Sequence, residues 1–207
     1  CQNWDISQIT KDLKNKLLKE NKLKDMDVEI SKFGYELPPE KIVELCIEKK
    51  IPSIAYTYNE PTVFFEYAYD TAKLAHKKGI KNVFVTNGYE SEEALQLIKP
   101  YLDAANIDLK SFNDDFYKKI CKARLQPVLD TIKLFHELGI WIEITTLVIP
   151  NKNDSDEELN KTANFISSID KNIPWHVTAF HPDYKMTNLP STGYGILNKA
   201  YNIGKKA

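Results

Sequence analysis

Ser53-Ile54-Ala55-Tyr56-Thr57-Tyr58-Asn59-Glu60-Pro61-Thr62-Val63-Phe64-Phe65-Glu66-Tyr67 reads as a strand that ends on a polar turn and runs straight into a helix. Ser53 to Tyr58 is short, β-branched and aromatic, as a buried strand should be. Pro61 suits the first position of a helix, and Asn59 or Glu60 can cap the N–H groups left free there. The carboxyl end of a strand therefore meets the positive end of a helix at Tyr58-Asn59-Glu60. In parallel α/β proteins ligands bind at such junctions. Read alone, Asn59-Glu60-Pro61 can equally be turn punctuation, so the surrounding chain has to decide.

Outward from this stretch the same unit repeats. Pro38-Pro39-Glu40 opens a helix through Val43, Cys46 and Ile47, and Pro61 to Lys78 is a helix with Phe64, Ala68, Ala72 and Ala75 on one face and Gly79 as its stop. Asn82 to Thr86 is a strand ending in Asn87-Gly88, with a helix from Ser91 to Leu102 behind it. Ala104 to Leu109 is the next strand, with helical stretches at Phe116–Cys121 and Pro127–Leu138, and Trp141 to Ile149 is another, stopped by Pro150. Ser155-Asp156-Glu157-Glu158 has the form of a capping box. Trp175 to Phe180 is the last strand, and a helix from about Ile196 reaches the end. Residues 1–37 are less regular: a Lys-rich helical pattern over Ile6 to Lys24, then a short strand at Val28-Glu29-Ile30. Strands alternating with helices predict βαβ units, an α/β fold with a parallel sheet, and a barrel or part of one. Residues 1–37 form a leading surface segment and 38–207 a single (β/α) core.

Composition narrows the functions. Across 207 residues, 28 Lys and Arg face 29 Asp and Glu, a net charge of −1 with no basic field for nucleic acid. No apolar run approaches the roughly 20 residues of a membrane helix, and no signal peptide is visible. Three cysteines, Cys1, Cys46 and Cys121, make no disulfide framework and point to the cytoplasm.

The informative pattern is the set of residues on which the strands end: Tyr58-Asn59-Glu60, Thr86-Asn87-Gly88, Asp108 with Lys110, Thr145-Thr146, and His181. Each has a dull explanation as turn, cap or strand former. A parallel barrel nevertheless brings all five to one rim, where active sites of that architecture lie. The set suits a zwitterion. Glu60 and Asp108 can accept from an ammonium or a ribose, while Lys110 and the N–H groups of Thr86 to Gly88 can hold a carboxylate. His76 and His136 sit near helix C-termini and read as structural, and His176 should point away from its neighbour Trp175.

On these residues the chain resembles the radical S-adenosylmethionine enzymes, most closely the branch similar to pyruvate formate-lyase activating enzymes and the radical component of the AmmeMemoRadiSam system. Cys1-Gln2-Asn3-Trp4-Asp5-Ile6-Ser7 is similar to the third cysteine of a CxxxCxxC motif and the residues after it. Tyr58-Asn59-Glu60-Pro61 stands where the family has a GGEP-like motif. Thr86-Asn87-Gly88, Asp108-Leu109-Lys110, Thr145 to Pro150 and Phe180-His181-Pro182 match further strand ends. Trp175-His176-Val177 with Asp183 to Met186 is closest to the AmmeMemoRadiSam branch.

The resemblance implies a partial (β/α) barrel whose first strand is missing, the chain being an internal fragment. It implies a four-iron–four-sulfur cluster with Cys1 as metal ligand and catalytic residue, and S-adenosylmethionine held by Tyr58, Asn59, Glu60, Thr86, Asn87, Gly88, Asp108, Lys110, Thr145 and His181. Glu60 would take the methionyl amino group. Cys46 and Cys121 are poor substitutes for the missing motif cysteines, since one protein thiolate cannot hold such a cluster. It further implies radical hydrogen abstraction, from a glycyl residue of a partner protein in the activating-enzyme branch, and an electron donor such as flavodoxin or ferredoxin. Tyr184 and Met186 mark a lip for substrate or partner. Two other readings use the same rim: a lyase forming a Schiff base on Lys110 with Asp108 as its acid–base partner, and a fragment that only binds ligand or partner.

Overall fold

Among the described residues, five strands run parallel in one sheet whose spatial order is their order in the chain. The computed structural model describes residues 3–32 and 34–207. The strands are β1 (Ser53–Tyr56), β2 (Lys81–Thr86), β3 (Ala104–Asp108), β4 (Trp141–Val148) and β5 (Trp175–Ala179). Ser53 aligns with Lys81, Val83 with Ala104, Asp108 with Thr145, and Thr145 with His176. This is the partial parallel (β/α) barrel that the strand–helix rhythm predicts.

The helices are α1 (Trp4–Ser7), α2 (Ile9–Lys19), α3 (Met26–Ser31), α4 (Pro39–Glu48), α5 (Phe65–Lys77), α6 (Glu92–Ile98), α7 (Asp114–Phe116), α8 (Leu125–Glu137), α9 (Asp156–Ile169) and α10 (Tyr194–Gly204). The alternation of side chains along a strand sorts the two faces of the sheet. On β4, Ile142, Ile144, Thr146 and Val148 are buried, while Trp141, Glu143, Thr145 and Leu147 alternate with them on the other face. Phe84, Leu95, Ile107, Ile132, Phe135 and Ile144 are fully enclosed between sheet and helices. Each such side chain contributes about 1.5–3 kcal/mol by leaving water. The expected small-residue face of α5 is there: Ala68, Ala72 and Ala75 have no exposed surface.

Several boundaries differ from the sequence reading. Val28-Glu29-Ile30 lies in α3 rather than in a strand. Three residues offer too little edge to recruit a partner, whereas a helix satisfies its own backbone, and Lys32 pairs with Glu29 one turn back. Between Glu60 and α5, residues Pro61–Phe64 form a 3-10 turn before the α-helix begins. The helix after Ser91 stops at Ile98, because Pro100 brings no N–H to extend it. α8 starts two residues before Pro127, with Leu125 N donating to Asp114 Oδ1 at 3.0 Å. Ser155 does cap α9, its Oγ accepting from Glu158 N at 3.2 Å. The Glu158 carboxylate, however, does not turn back to close the box. It is buried against the β3–α7 loop, accepting from Ser111 Oγ and from Phe112 N.

Candidate functional site

Two groups of polar side chains stand at the carboxyl ends of the strands. The first joins the ends of β1 and β2. Glu60 is the N-cap of the 3-10 turn and is only 9% exposed. Its Oε1 accepts from Thr62 N at 3.3 Å, Thr62 Oγ1 at 3.1 Å and Thr86 Oγ1 at 2.7 Å, and its Oε2 from Asn87 N at 2.8 Å. Thr86 Oγ1 also accepts from Gly88 N at 3.1 Å. One carboxylate thus clasps two loops, with Oε2 holding a single donor. Gly88 has φ +70°, and a Cβ there would meet Ile107 Cγ2 at 2.8 Å and Val128 Cγ1 at 3.2 Å, so glycine is required for both backbone and space. Tyr58 and Asn59, joined by a cis peptide, are exposed beside the clasp.

The second group lines a cavity of about 430 Å³ at the ends of β3, β4 and β5. Asp108, Lys110, Thr145 and His181 face it, with Phe116 and Met186 among its apolar walls. Asn3, from the N-terminal segment, lines it too. Asp108 and Lys110 pair with each other, Nζ to Oδ2 at 2.5 Å. The same pairing serves the Schiff-base reading, in which Asp108 is the acid–base partner of Lys110. Behind the pair, Asn153 Nδ2 donates to the carbonyls of Lys110 at 2.7 Å and Leu147 at 2.9 Å, and its Oδ1 accepts from Ile149 N. Lys110 N donates to the Tyr117 hydroxyl at 3.1 Å, and burial pushes that phenol up from its ordinary pKa.

The rim expected from the strand ends is therefore present in two parts: Glu60, Thr86, Asn87 and Gly88 in the clasp, and Asp108, Lys110, Thr145 and His181 around the cavity. Of the expected lip, Met186 packs on Phe116, Ile149 and Phe180, whereas Tyr184 stacks on Trp4. His176 does point away from Trp175. Its Nε2 lies 3.0 Å from Glu143 Oε2 on the open face, while the Trp175 indole N–H donates to Thr146 Oγ1 at 2.9 Å on the helix side.

Two features escaped the sequence reading. One is a ladder across the open face in which Asn106 Nδ2 donates to Glu143 Oε2 at 3.2 Å and Thr145 Oγ1 to Asn106 Oδ1 at 2.8 Å. Its signal was there in the period of two, since Asn106 and Glu143 precede Asp108 and Thr145 by two residues on their strands. The other is Glu90, whose Oε1 lies 2.8 Å from Thr86 Oγ1 and whose Oε2 is buried without a hydrogen-bond partner. Burial pushes this carboxyl up to about 7; the neighbouring hydroxyls of Thr86 and Thr62 oppose the rise and the charge of Glu60 adds to it. No strand-end motif includes position 90.

Cys1 lies outside the described residues. Among the described residues no three His, Cys, Asp or Glu side chains converge as a metal site. Cys46 is buried with Val43, Ala75 and Ile80 on the helix side, so it is no cluster ligand. The described residues thus fit the adenosyl ligand, with paired carboxylate and ammonium groups around a partly apolar cavity whose wall includes Cys121, a thiol pushed up by burial.

The chain is 43% identical over 205 residues to an uncharacterised protein of Methanocaldococcus jannaschii, covering 98% of this chain and 55% of that protein. It is 24% identical over 174 residues to the pyruvate formate-lyase-activating enzyme of Clostridium pasteurianum, covering 75% of this chain and 72% of that one. In fold it is similar to Streptococcus suis SuiB bound to S-adenosylmethionine, with a TM-score of 0.66 at 15% identity over 84% of this chain and 41% of that chain. The chain spans about half the length of the first of these relatives. The model of the Radical SAM superfamily matches residues 1–166, and the chain belongs to that superfamily, whose members bind a four-iron–four-sulfur cluster and S-adenosylmethionine.

Proposed function

We propose that this chain is the S-adenosylmethionine-binding core of a radical enzyme similar to the glycyl-radical activating enzymes, acting on a partner protein. The observation that carries the reading is the pairing of the Glu60 clasp with the Asp108–Lys110 cavity at the ends of adjacent strands. When bound, the cluster and S-adenosylmethionine together supply a one-electron cleavage whose product radical abstracts a hydrogen atom from substrate. Cys1 is the thiolate this chain brings to the cluster, and Asn3, two residues on, lines the cavity.

The protein's own part is to bind, orient and exclude water. Glu60 Oε2 has one donor, Asn87 N, and keeps a lone pair for the ligand ammonium. Lys110 and Asp108, about one-third exposed and already paired, can each turn one hydrogen-bonding edge to a carboxylate or a ribose without burying a new charge. Tyr58, Asn59 and Gly88 border the ammonium end, and Thr145 and His181 border the other. Phe116, Ile149 and Phe180 form an apolar wall that shields the reacting region.

Similarity to the Clostridium pasteurianum activating enzyme supports a glycyl residue of a partner protein as the hydrogen source. Residues Trp175 to Val177 and Asp183 to Met186 support the AmmeMemoRadiSam branch as the nearer group. A cytoplasmic location and a flavodoxin or ferredoxin as electron donor complete the proposal; among the described residues no helix is long and apolar enough to cross a membrane. The test is anaerobic reconstitution of the full-length protein with iron and sulfide, then reduction with S-adenosylmethionine. Formation of 5′-deoxyadenosine that falls on Asp108→Ala and Glu60→Gln supports the assignment. A bound cluster with no such product overturns it.

A further inference from the structure

Thr86 stands between two carboxylates, and a proton has to be placed before its hydrogen bonds can be drawn. Its Oγ1 is 2.7 Å from Glu60 Oε1 and 2.8 Å from Glu90 Oε1. A threonine hydroxyl has one hydrogen and two lone pairs. It can donate to one carboxylate, not to both. One of its lone pairs is taken by Gly88 N at 3.1 Å, which leaves one hydrogen and one lone pair for the two acids. Thr86 is 1% exposed, so no bulk water enters to settle the conflict.

The two acids are not equivalent. Glu60 has donors from Thr62 N, Thr62 Oγ1 and Asn87 N besides Thr86, the surroundings of an ionised carboxylate. Glu90 Oε2 is buried with no partner. Leaving an ionised oxygen there costs far more than leaving a neutral carbonyl oxygen. Around Glu90 the hydroxyls of Thr86 and Thr62 favour the anion, while burial, the largest effect, and the charge of Glu60 favour the acid. The segment after β1 presents Thr62 and the Glu60 charge, β2 presents Thr86, and α8 presents Thr131, whose hydroxyl donates to the Glu90 carbonyl at 3.4 Å. Among the described residues the charge that acts on Glu90 is therefore the anion of Glu60.

We propose that Glu90 is a protonated carboxylic acid that donates to Thr86 Oγ1, turns the single hydrogen of Thr86 onto Glu60, and so holds Glu60 as the oriented anion of the ligand site. Thr86 then donates once and accepts twice, and every polar atom of the relay except Glu90 Oε2 is matched. Glu90 is a positioning residue, acting on the ligand through Thr86 and Glu60. When Glu90 ionises, two carboxylates compete for one hydrogen and Glu60 loses its shortest donor. Affinity for an ammonium ligand at Glu60 then falls. The ligand half of this inference rests on the assignment of Glu60 to the ammonium of S-adenosylmethionine; the placement of the proton does not.

The experiment has two arms on the full chain. In the first, glutamate carboxyl carbons labelled with carbon-13 are titrated by NMR without ligand. One resonance titrates well above the others and is absent from Glu90→Gln; if all titrate in the ordinary carboxylate range, the protonated acid is overturned. In the second, S-adenosylmethionine binding is measured by calorimetry from about pH 6 to about pH 8.5. Relative to Glu90→Gln, whose amide N–H can replace the acid O–H, wild type loses about tenfold in affinity as pH rises, the effect of one hydrogen bond to a charged group. The ligand's own titration is common to both proteins and cancels. Glu90→Gln matches wild type at the acid end, and Glu90→Leu, which cannot donate, is weak throughout. Parallel pH profiles for wild type and Glu90→Gln overturn the positioning role. If Glu60→Gln binds S-adenosylmethionine as wild type does, the assignment of Glu60 fails, and the NMR titration still decides where the proton sits.

Discussion

Trp4 stacks on Tyr184 with ring centroids 5.6 Å apart and planes inclined by 12°, and its indole N–H donates to Asp183 Oδ1 at 3.2 Å. The contact ties the segment after Cys1 to the loop after β5, across the cavity that Asn3 and Asp183 both line. An aromatic pair of this kind is worth about 0.5–1.5 kcal/mol beyond its buried area. Trp4→Ala should therefore speed hydrogen exchange in α1 and α2 by about fivefold, leaving the sheet unchanged. Equal acceleration in β2 to β4 would show that the segment is not held locally.

Stability should depend on pH through Glu90. Its folded pKa, about 7, lies above the ordinary carboxyl value of 4.5. The folded state therefore holds a proton that the unfolded chain has released between these values. Stability is then full below about pH 4.5, falls as pH rises through the window, and levels off above pH 7. A displacement of this size corresponds to about 3 kcal/mol. Urea unfolding should record the loss for wild type and a flatter profile for Glu90→Gln.

Asp108→Asn should separate binding from stability. The Asp108–Lys110 pair is about one-third exposed on each side, so its loss should cost less than about 1 kcal/mol of folding free energy. Removing the charged partner should weaken S-adenosylmethionine binding by about tenfold or more. Calorimetry beside a melting curve measures both; a large fall in Tm with unchanged binding would make the pair structural.

Thr146→Val tests the opposite kind of residue. The Thr146 hydroxyl donates to Leu109 O at 2.9 Å and accepts from Trp175 Nε1, joining β3, β4 and β5 on their helix side. Valine keeps the shape and leaves an indole N–H and a carbonyl unpaired. The cost should be about 1–3 kcal/mol in urea unfolding, with ligand binding little altered.

The alternation of strand and helix was legible because each unit carries its own punctuation: Pro39 and Pro61 at helix starts, Gly79 at a helix end, Asn87-Gly88 and Pro150 at strand ends. Chain order then equals spatial order, so the succession of strand ends was also a map of the rim. The features that the sequence concealed came from long-range demands. Glu158 reads as a local cap, yet its carboxylate serves Ser111 and Phe112 on another loop. Asp108 and Lys110 read as two ligand groups, and in the fold they first satisfy each other. Glu90 belongs to no strand-end motif, and only the convergence on Thr86 gives it a task. Val28 to Ile30 has a strand's residues without a strand's neighbour.

Gly88 sits directly on the side chains of Ile107 and Val128, with no layer between the loop and the core. The next residue back, Asn87, donates its N–H to Glu60. The ligand site therefore has no slack beneath it. A methyl group added or removed at Ile107 or Val128, on the far side of the sheet from any ligand, shifts the floor on which the Glu60 carboxylate is set, and the volume of the hydrophobic core becomes a determinant of recognition.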